Sequence, residues 1–298
     1  MFVSTIMAAI LSGTSLGTTA TGTGPRGMAY HPATGEMWIG NFGANTVQRY
    51  NSAGVSQGTT ATSGVAGDLA YHPATGEMWV TNSNGATVQR FNSAGVSQGT
   101  SATGSDPRGM AYHPATGEMW VVNHNSNTVQ RYNSAGVSQG TTATGTSPYK
   151  IAYNPATDEM WVTNNGSNTV QRYNSAGVSQ GTTGTGAGPY AIAYNTATGE
   201  MWVANYSGNT VQRYNSAGVS QGTTATGAGP RDVALNSATG EMWVTNNSSN
   251  TVQRYNSAGV SQGTSATGTG PWGVALNSAT GEMWVTNNGG NTVQRYIG

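Results

Sequence analysis

Few residues in this 298-residue chain could do chemistry, and most of them fall into one group. Cysteine is absent, which excludes disulfides, thiolate nucleophiles and thiolate metal sites. Eleven basic residues balance 11 acidic ones, and seven Glu and seven Arg of these recur at fixed intervals. Eight charges stand outside that recurrence: Arg26, Asp68, Asp106, Arg108, Lys150, Asp158, Arg231 and Asp232. Lys150 is the sole lysine. His124, with Asp68, Asp106 or Asp232, is the constellation able to perform acid–base work. His31, His72 and His113 occupy equivalent turns of successive repeats, too far apart to share a metal ion, so neither a metal nor a cofactor is expected. No phosphate-binding loop and no nucleophile elbow is present. A formal charge of zero also argues against an electrostatic grip on nucleic acid or an anionic membrane.

The elements that position these residues are copies of one another. Tryptophan returns at Trp38, Trp79, Trp120, Trp161, Trp202, Trp243 and Trp284, a period of 41 residues without insertion. A fixed period of this size marks a solenoid or a propeller. In the first repeat, turn signals bound four short segments: Arg26–His31, Glu36–Asn41, Thr46–Tyr50 and Val55–Thr62. None has a helical period, so each repeat reads as an antiparallel meander of four strands, the blade of a β-propeller. Seven repeats predict a single all-β domain over residues 12–298, a seven-bladed propeller. The seventh repeat stops after its third strand, at Tyr296-Ile297-Gly298. The stretch Thr14–Thr21 aligns with the fourth strand of other repeats and is expected to complete that blade, closing the ring and removing an exposed edge.

Gly-Pro-Arg-Gly-Met-Ala-Tyr, Glu-Met-Trp-Val-Thr-Asn (Glu159–Asn164) and Asn-Thr-Val-Gln-Arg-Tyr (Asn168–Tyr173) resemble NHL and YVTN propeller repeats from about Ser12 to Tyr296. Tryptophan stands where the YVTN pattern has tyrosine. The resemblance implies the fold and leaves the function open, because such propellers include binding modules, surface-layer proteins, lyases and lactonases.

Two classes of position then separate. The recurring Glu36 and Arg49, with Trp38 opposite the arginine on paired strands, read as an ion-pair and cation–π lattice. The positions that vary between repeats read as the site. The first runs Arg26, Gly67, Arg108, Tyr149, Tyr190, Arg231, Trp272, and its neighbour runs Gly27, Asp68, Gly109, Lys150, Ala191, Asp232, Gly273. The loop after the second strand varies as Phe42, Ser83, His124, Asn165, Tyr206, Asn247, Asn288. Meander topology puts all three series on one end of the disc, around the channel mouth. Arg, Tyr and Trp carry most binding energy at interfaces, so the expected ligand residues are Arg26, Phe42, Asp68, Arg108, His124, Tyr149, Lys150, Tyr190, Tyr206, Arg231, Asp232 and Trp272.

These readings predict a non-enzyme, a binding or adhesion module for a glycan or surface protein, located outside a cell or on a cell or virion surface. A second expectation is a self-assembling subunit of a filament, sheath or virion surface, in which the apolar tail Met1–Leu11 docks into a neighbouring copy. That tail is too short to span a bilayer and lacks a basic start, which leaves a degenerate signal peptide as the alternative to docking. A third is a lyase-like enzyme built on His124. The sequons at Asn165, Asn205, Asn246 and Asn247 would be used only in a secretory setting.

Overall fold

A computed structural model describes residues 12–298. Met1–Leu11, and the docking role expected of it, lie outside the described residues. The chain forms seven antiparallel sheets of four strands each, as the repeat predicts. In the first blade the strands are Pro25–His31, Glu36–Asn41, Thr46–Tyr50 and Ser56–Ala61, running from the channel to the rim.

The second strand explains how the blades assemble. Glu36–Asn41 is buried along its whole length, and alternate side chains leave on opposite faces. Trp38, with Val47, packs against Leu69, Met78 and Val80 of the next blade. Met37 and Ile39, on the other face, meet Trp284 and Val293 of the seventh. The hydrophobic core therefore lies between blades, as equivalent seams around the ring, and removing one seam tryptophan should cost about 3–5 kcal/mol.

The seams are cross-linked by polar groups. Arg49 lies opposite Trp38 in the strand register, its guanidinium 5.6 Å from the indole centroid and 3.5 Å from Glu36. The same guanidinium donates to the Ser93 carbonyl of the following blade at 3.1 Å, a tie the repeat pattern did not disclose. His31, His72 and His113 end the inner strands of three successive blades, fully buried, and stack on Trp38, Trp79 and Trp120 in three separate seams.

Closure follows the expectation. Ser15–Ala20 pairs with Thr292–Tyr296 and becomes the outer strand of the last blade. Gly13 N donates to the Ile297 carbonyl at 2.8 Å, and Ile297 N to that of Thr14 at 2.9 Å. The free edge that the sequence would leave on the seventh blade is thereby paired.

Candidate functional site

The inner strands do not pair regularly along their whole length. Between Pro25 and Met28 the register with the second strand shifts, and the equivalent shift recurs in every blade, for example between Pro148 and Ile151. A bulge re-aims the side chains it carries. Here it carries the two varied positions and turns them toward the axis. Threonines of the second strand hold the bulges. Thr286 accepts from the Gly273 N–H and donates to the Arg26 carbonyl of the next blade, both at 2.8 Å. Thr81, Thr163 and Thr245 do the same for Arg108, Tyr190 and Trp272. Glycine is required where inner strands touch: a Cβ at Gly109 would sit 2.7 Å from the Lys150 Cα and the Tyr149 carbonyl oxygen.

The loop after the second strand divides by residue type. Ser83, Asn165, Asn247 and Asn288 donate to the carbonyl of the next blade's leading proline and so serve the scaffold. The aromatic members, Phe42, His124 and Tyr206, make no such bond; Phe42 lines the mouth, and His124 and Tyr206 flank it. Arg26 lies 3.3 Å from the Phe42 centroid and 4.1 Å from that of Trp272. Arg231 lies 3.9 Å from Trp272, 4.5 Å from Tyr206 and 4.6 Å from Tyr190. Arg231 donates to the Tyr190 hydroxyl, which donates to that of Tyr149. The two phenol rings are 3.6 Å apart. Burial raises the Tyr190 hydroxyl pKa, so that hydroxyl stays protonated at neutral pH.

Below this layer lies a charged floor. Lys150 reaches from the fourth blade to Asp68 in the second at 2.7 Å. Burial would lower the lysine, but Asp68 and Asp232 outweigh it and hold the ammonium above its ordinary value. Asp68 also accepts from Met110 N at 3.1 Å. Asp232 accepts from Val233 N at 3.1 Å and Val274 N at 3.0 Å; burial raises its pKa, with Lys150 opposing.

A third group sits at the rim. His124 Nδ1 faces Asn125 Oδ1 at 2.9 Å and Asp106 Oδ2 at 3.3 Å. Both partners are acceptors, so Nδ1 carries the proton and Nε2 is left as the basic nitrogen of the neutral ring. The bond to Asp106 raises the imidazole pKa against burial. Burial would raise Asp106, but His124 and Arg108, the latter 2.9 Å away, hold it below its usual range.

Ten of the 12 expected residues therefore line one cavity. His124 and Tyr206 stand just outside it, in edge and tilted contact with Tyr149 and Tyr190. Of the three aspartates offered to His124, the structure supplies Asp106 and places Asp68 and Asp232 on the floor. Asp106 belongs to the site although the varied positions did not select it. Its backbone, at φ 56°, stands where Gly24, Gly188, Gly229 and Gly270 hold positive φ in other blades. The available signal was the residue type, an aspartate where four other repeats carry glycine.

No protein-family model matches the chain, and no curated protein matches it in sequence. Membership of the NHL or YVTN repeats is thus not shown, while the seven-bladed fold is shared with solved structures. A streptogramin B lyase matches over 95% of this chain and 98% of its own, at 16% identity and a TM-score of 0.83. A virginiamycin B lyase from Staphylococcus aureus matches over 94% and 97%, at 18% identity and a TM-score of 0.81. A hydrazine synthase from Kuenenia stuttgartiensis matches over 93% and 97%, at 12% identity and a TM-score of 0.81. Identities this low carry the fold alone. They nevertheless correct the expectation of a non-enzyme, because the same ring supports lyases over nearly the whole chain. That expectation rested on the sameness of the blades. The mouth is the part that is not the same: it places guanidiniums and hydroxyls together, with a histidine–aspartate pair at the rim.

Proposed function

We propose that the protein binds a small molecule in the mouth of its channel. The observation that carries this reading is convergence. On a scaffold that repeats its packing residues almost unchanged, the positions that differ line one concavity. The partners expected from sequence fit that concavity unequally. A surface protein needs aromatic anchors that stand proud, whereas Tyr149 is buried. A sugar needs an open ring face, whereas Phe42 and Trp272 are covered by guanidiniums. What the mouth offers is guanidinium edges and hydroxyls, suited to a compact polar ligand. Native mass spectrometry of protein taken from its source tests this. Wild type should carry an adduct that the Tyr149→Ala/Trp272→Ala variant loses, and an adduct retained by a folded variant would refute the site.

A second reading, acid–base chemistry on the bound molecule, is favoured by the His124–Asp106 pair at the rim. Among the solved propellers is a catalytically inactive histidine-to-alanine variant of virginiamycin B lyase with quinupristin, 19% identical over 95% of this chain. Here His124 Nε2 would take or give the proton and Asp106 would orient the ring. A positioned acid or base contributes about 10²–10⁴-fold. If the captured molecule is turned over, His124→Ala should slow turnover by about that factor while changing affinity little; undiminished turnover dismisses the reading.

A further inference from the structure

Among the described residues, the Arg26 side chain is ordered by stacking alone. Its guanidinium is held against Phe42 and Trp272. Among the described residues no carboxylate lies within 4.0 Å of it. A guanidinium carries five donors in a planar fork. Rings that take its faces leave the edge free, and the edge is what a carboxylate or phosphate engages with two parallel hydrogen bonds.

The neighbouring charges point the same way. Arg231 shares the Trp272 ring with Arg26. The two guanidinium carbons can be no farther apart than their distances to that ring taken together, roughly 8 Å, which is one screening length at physiological salt. Burial, with Arg108 and Arg231 as like-charged neighbours, lowers the Arg26 pKa to about 10, still protonated at neutral pH. The carboxylates of the mouth are committed elsewhere: Asp106 to Arg108 and His124, Asp68 to Lys150, and Asp232 to two backbone amides. Stacking thus holds Arg26 and Arg231 near each other with no carboxylate paired to either among the described residues.

We infer that the ligand of this pocket is an oxyanion, a small molecule whose carboxylate or phosphate lies in the plane of the Arg26 guanidinium and is reached by Arg231. The inference rests on the mouth being a ligand pocket, and adds the chemistry of what enters it. Uncharged molecules would leave the Arg26 fork unpaired, and cations would be repelled.

Calorimetric titration with benzoate, phenyl phosphate and the neutral isostere benzamide tests it, with tryptophan fluorescence of wild type against Trp272→Phe locating the site. At least one anion should bind, at least ten-fold more tightly than benzamide, and the preferred anion distinguishes carboxylate from phosphate. Arg26→Gln should weaken that anion by about ten- to a hundred-fold, the loss expected for a charge-assisted hydrogen-bonded pair, with Arg26→Lys in between. Arg231→Gln serves as the second variant if Arg26→Gln does not fold. Benzamide binding as tightly as the anions overturns the oxyanion inference and leaves the pocket standing. Anion binding unchanged by Arg26→Gln and invisible to Trp272 overturns both. Failure of both anions to bind at millimolar concentration overturns the inference.

Discussion

Lys150→Met should destabilise the ring, and the reason lies in the charge count of the floor. The ammonium sits 2.7 Å from Asp68 Oδ1, and Asp232 also favours its charged form. Removing it leaves two carboxylates facing a narrow channel without a cation between them. Breaking a buried ion pair by deleting one partner costs about 3–5 kcal/mol. The Lys150 side chain is 24% exposed, so water recovers part of this, and the lower figure of about 3 kcal/mol applies. At roughly 2 °C per kcal/mol for a large domain, Tm should fall by about 6 °C. Asp68→Asn leaves Asp232 to serve the lysine and should cost clearly less. The pH dependence supplies a second check. Burial already raises the folded-state pKa of Asp232, and loss of Lys150 raises it further. A carboxylate with a raised folded pKa is a penalty at neutral pH that protonation removes, so the deficit of Lys150→Met should shrink as pH falls from about 7 to about 5. Urea denaturation at both pH values measures this. A variant within about 0.5 kcal/mol of wild type, or a deficit that grows in acid, would refute the floor as an electrostatic unit.

Three further outcomes are expected. His72 is fully buried on Trp79, and burial lowers its pKa, so its share of stability is lost as pH drops below the ordinary histidine range; His72→Asn, which copies Asn154 and Asn195, should be nearly neutral at pH 7.5 and flatten the acid loss in thermal melts, and an unaltered pH profile counts against this. Asp106→Asn removes the main cause of the raised His124 pKa, so NMR titration should show the imidazole losing its proton at lower pH than in wild type; an unmoved midpoint would separate the two residues. Truncation of residues 1–20 deletes the strand that pairs with Thr292–Tyr296 and should yield a lower Tm and edge-to-edge oligomers on sedimentation, whereas a monomer with wild-type Tm would show that closure is dispensable.

Much of the fold was legible because every strand boundary carries its own turn chemistry. Asn45, Asn127, Asn168 and their equivalents hold positive φ just before the third strand, a conformation Asn tolerates and most residues do not, and the pattern places the strand start at the next residue. The membership of the mouth was legible for a different reason: difference among near-copies marks it. Partnership was not legible. Lys150 meets Asp68 across two blades, and which residues can touch there depends on the channel width and on where the bulges aim, neither of which sequence spacing contains. Nor does residue type reveal that Arg26 and Arg231 occupy the faces of Phe42 and Trp272.

The position of the site follows from how the ring is held together. A change at Trp38, Met37 or Ile39 strikes a seam between blades, where close-packed neighbours make volume errors costly. A change at the bulge position faces the axis, and its backbone is fixed from behind in four blades by a threonine whichever side chain it carries. Arg108, Tyr190, Trp272 and Arg26 are held this way despite sharing neither charge nor shape. The axis is also where all seven blades meet, so single changes made separately in different blades accumulate in one place. A repeat that must stay uniform for packing can therefore become asymmetric on its axis, and asymmetry is what placing a base, a fork and a hydroxyl around one ligand requires.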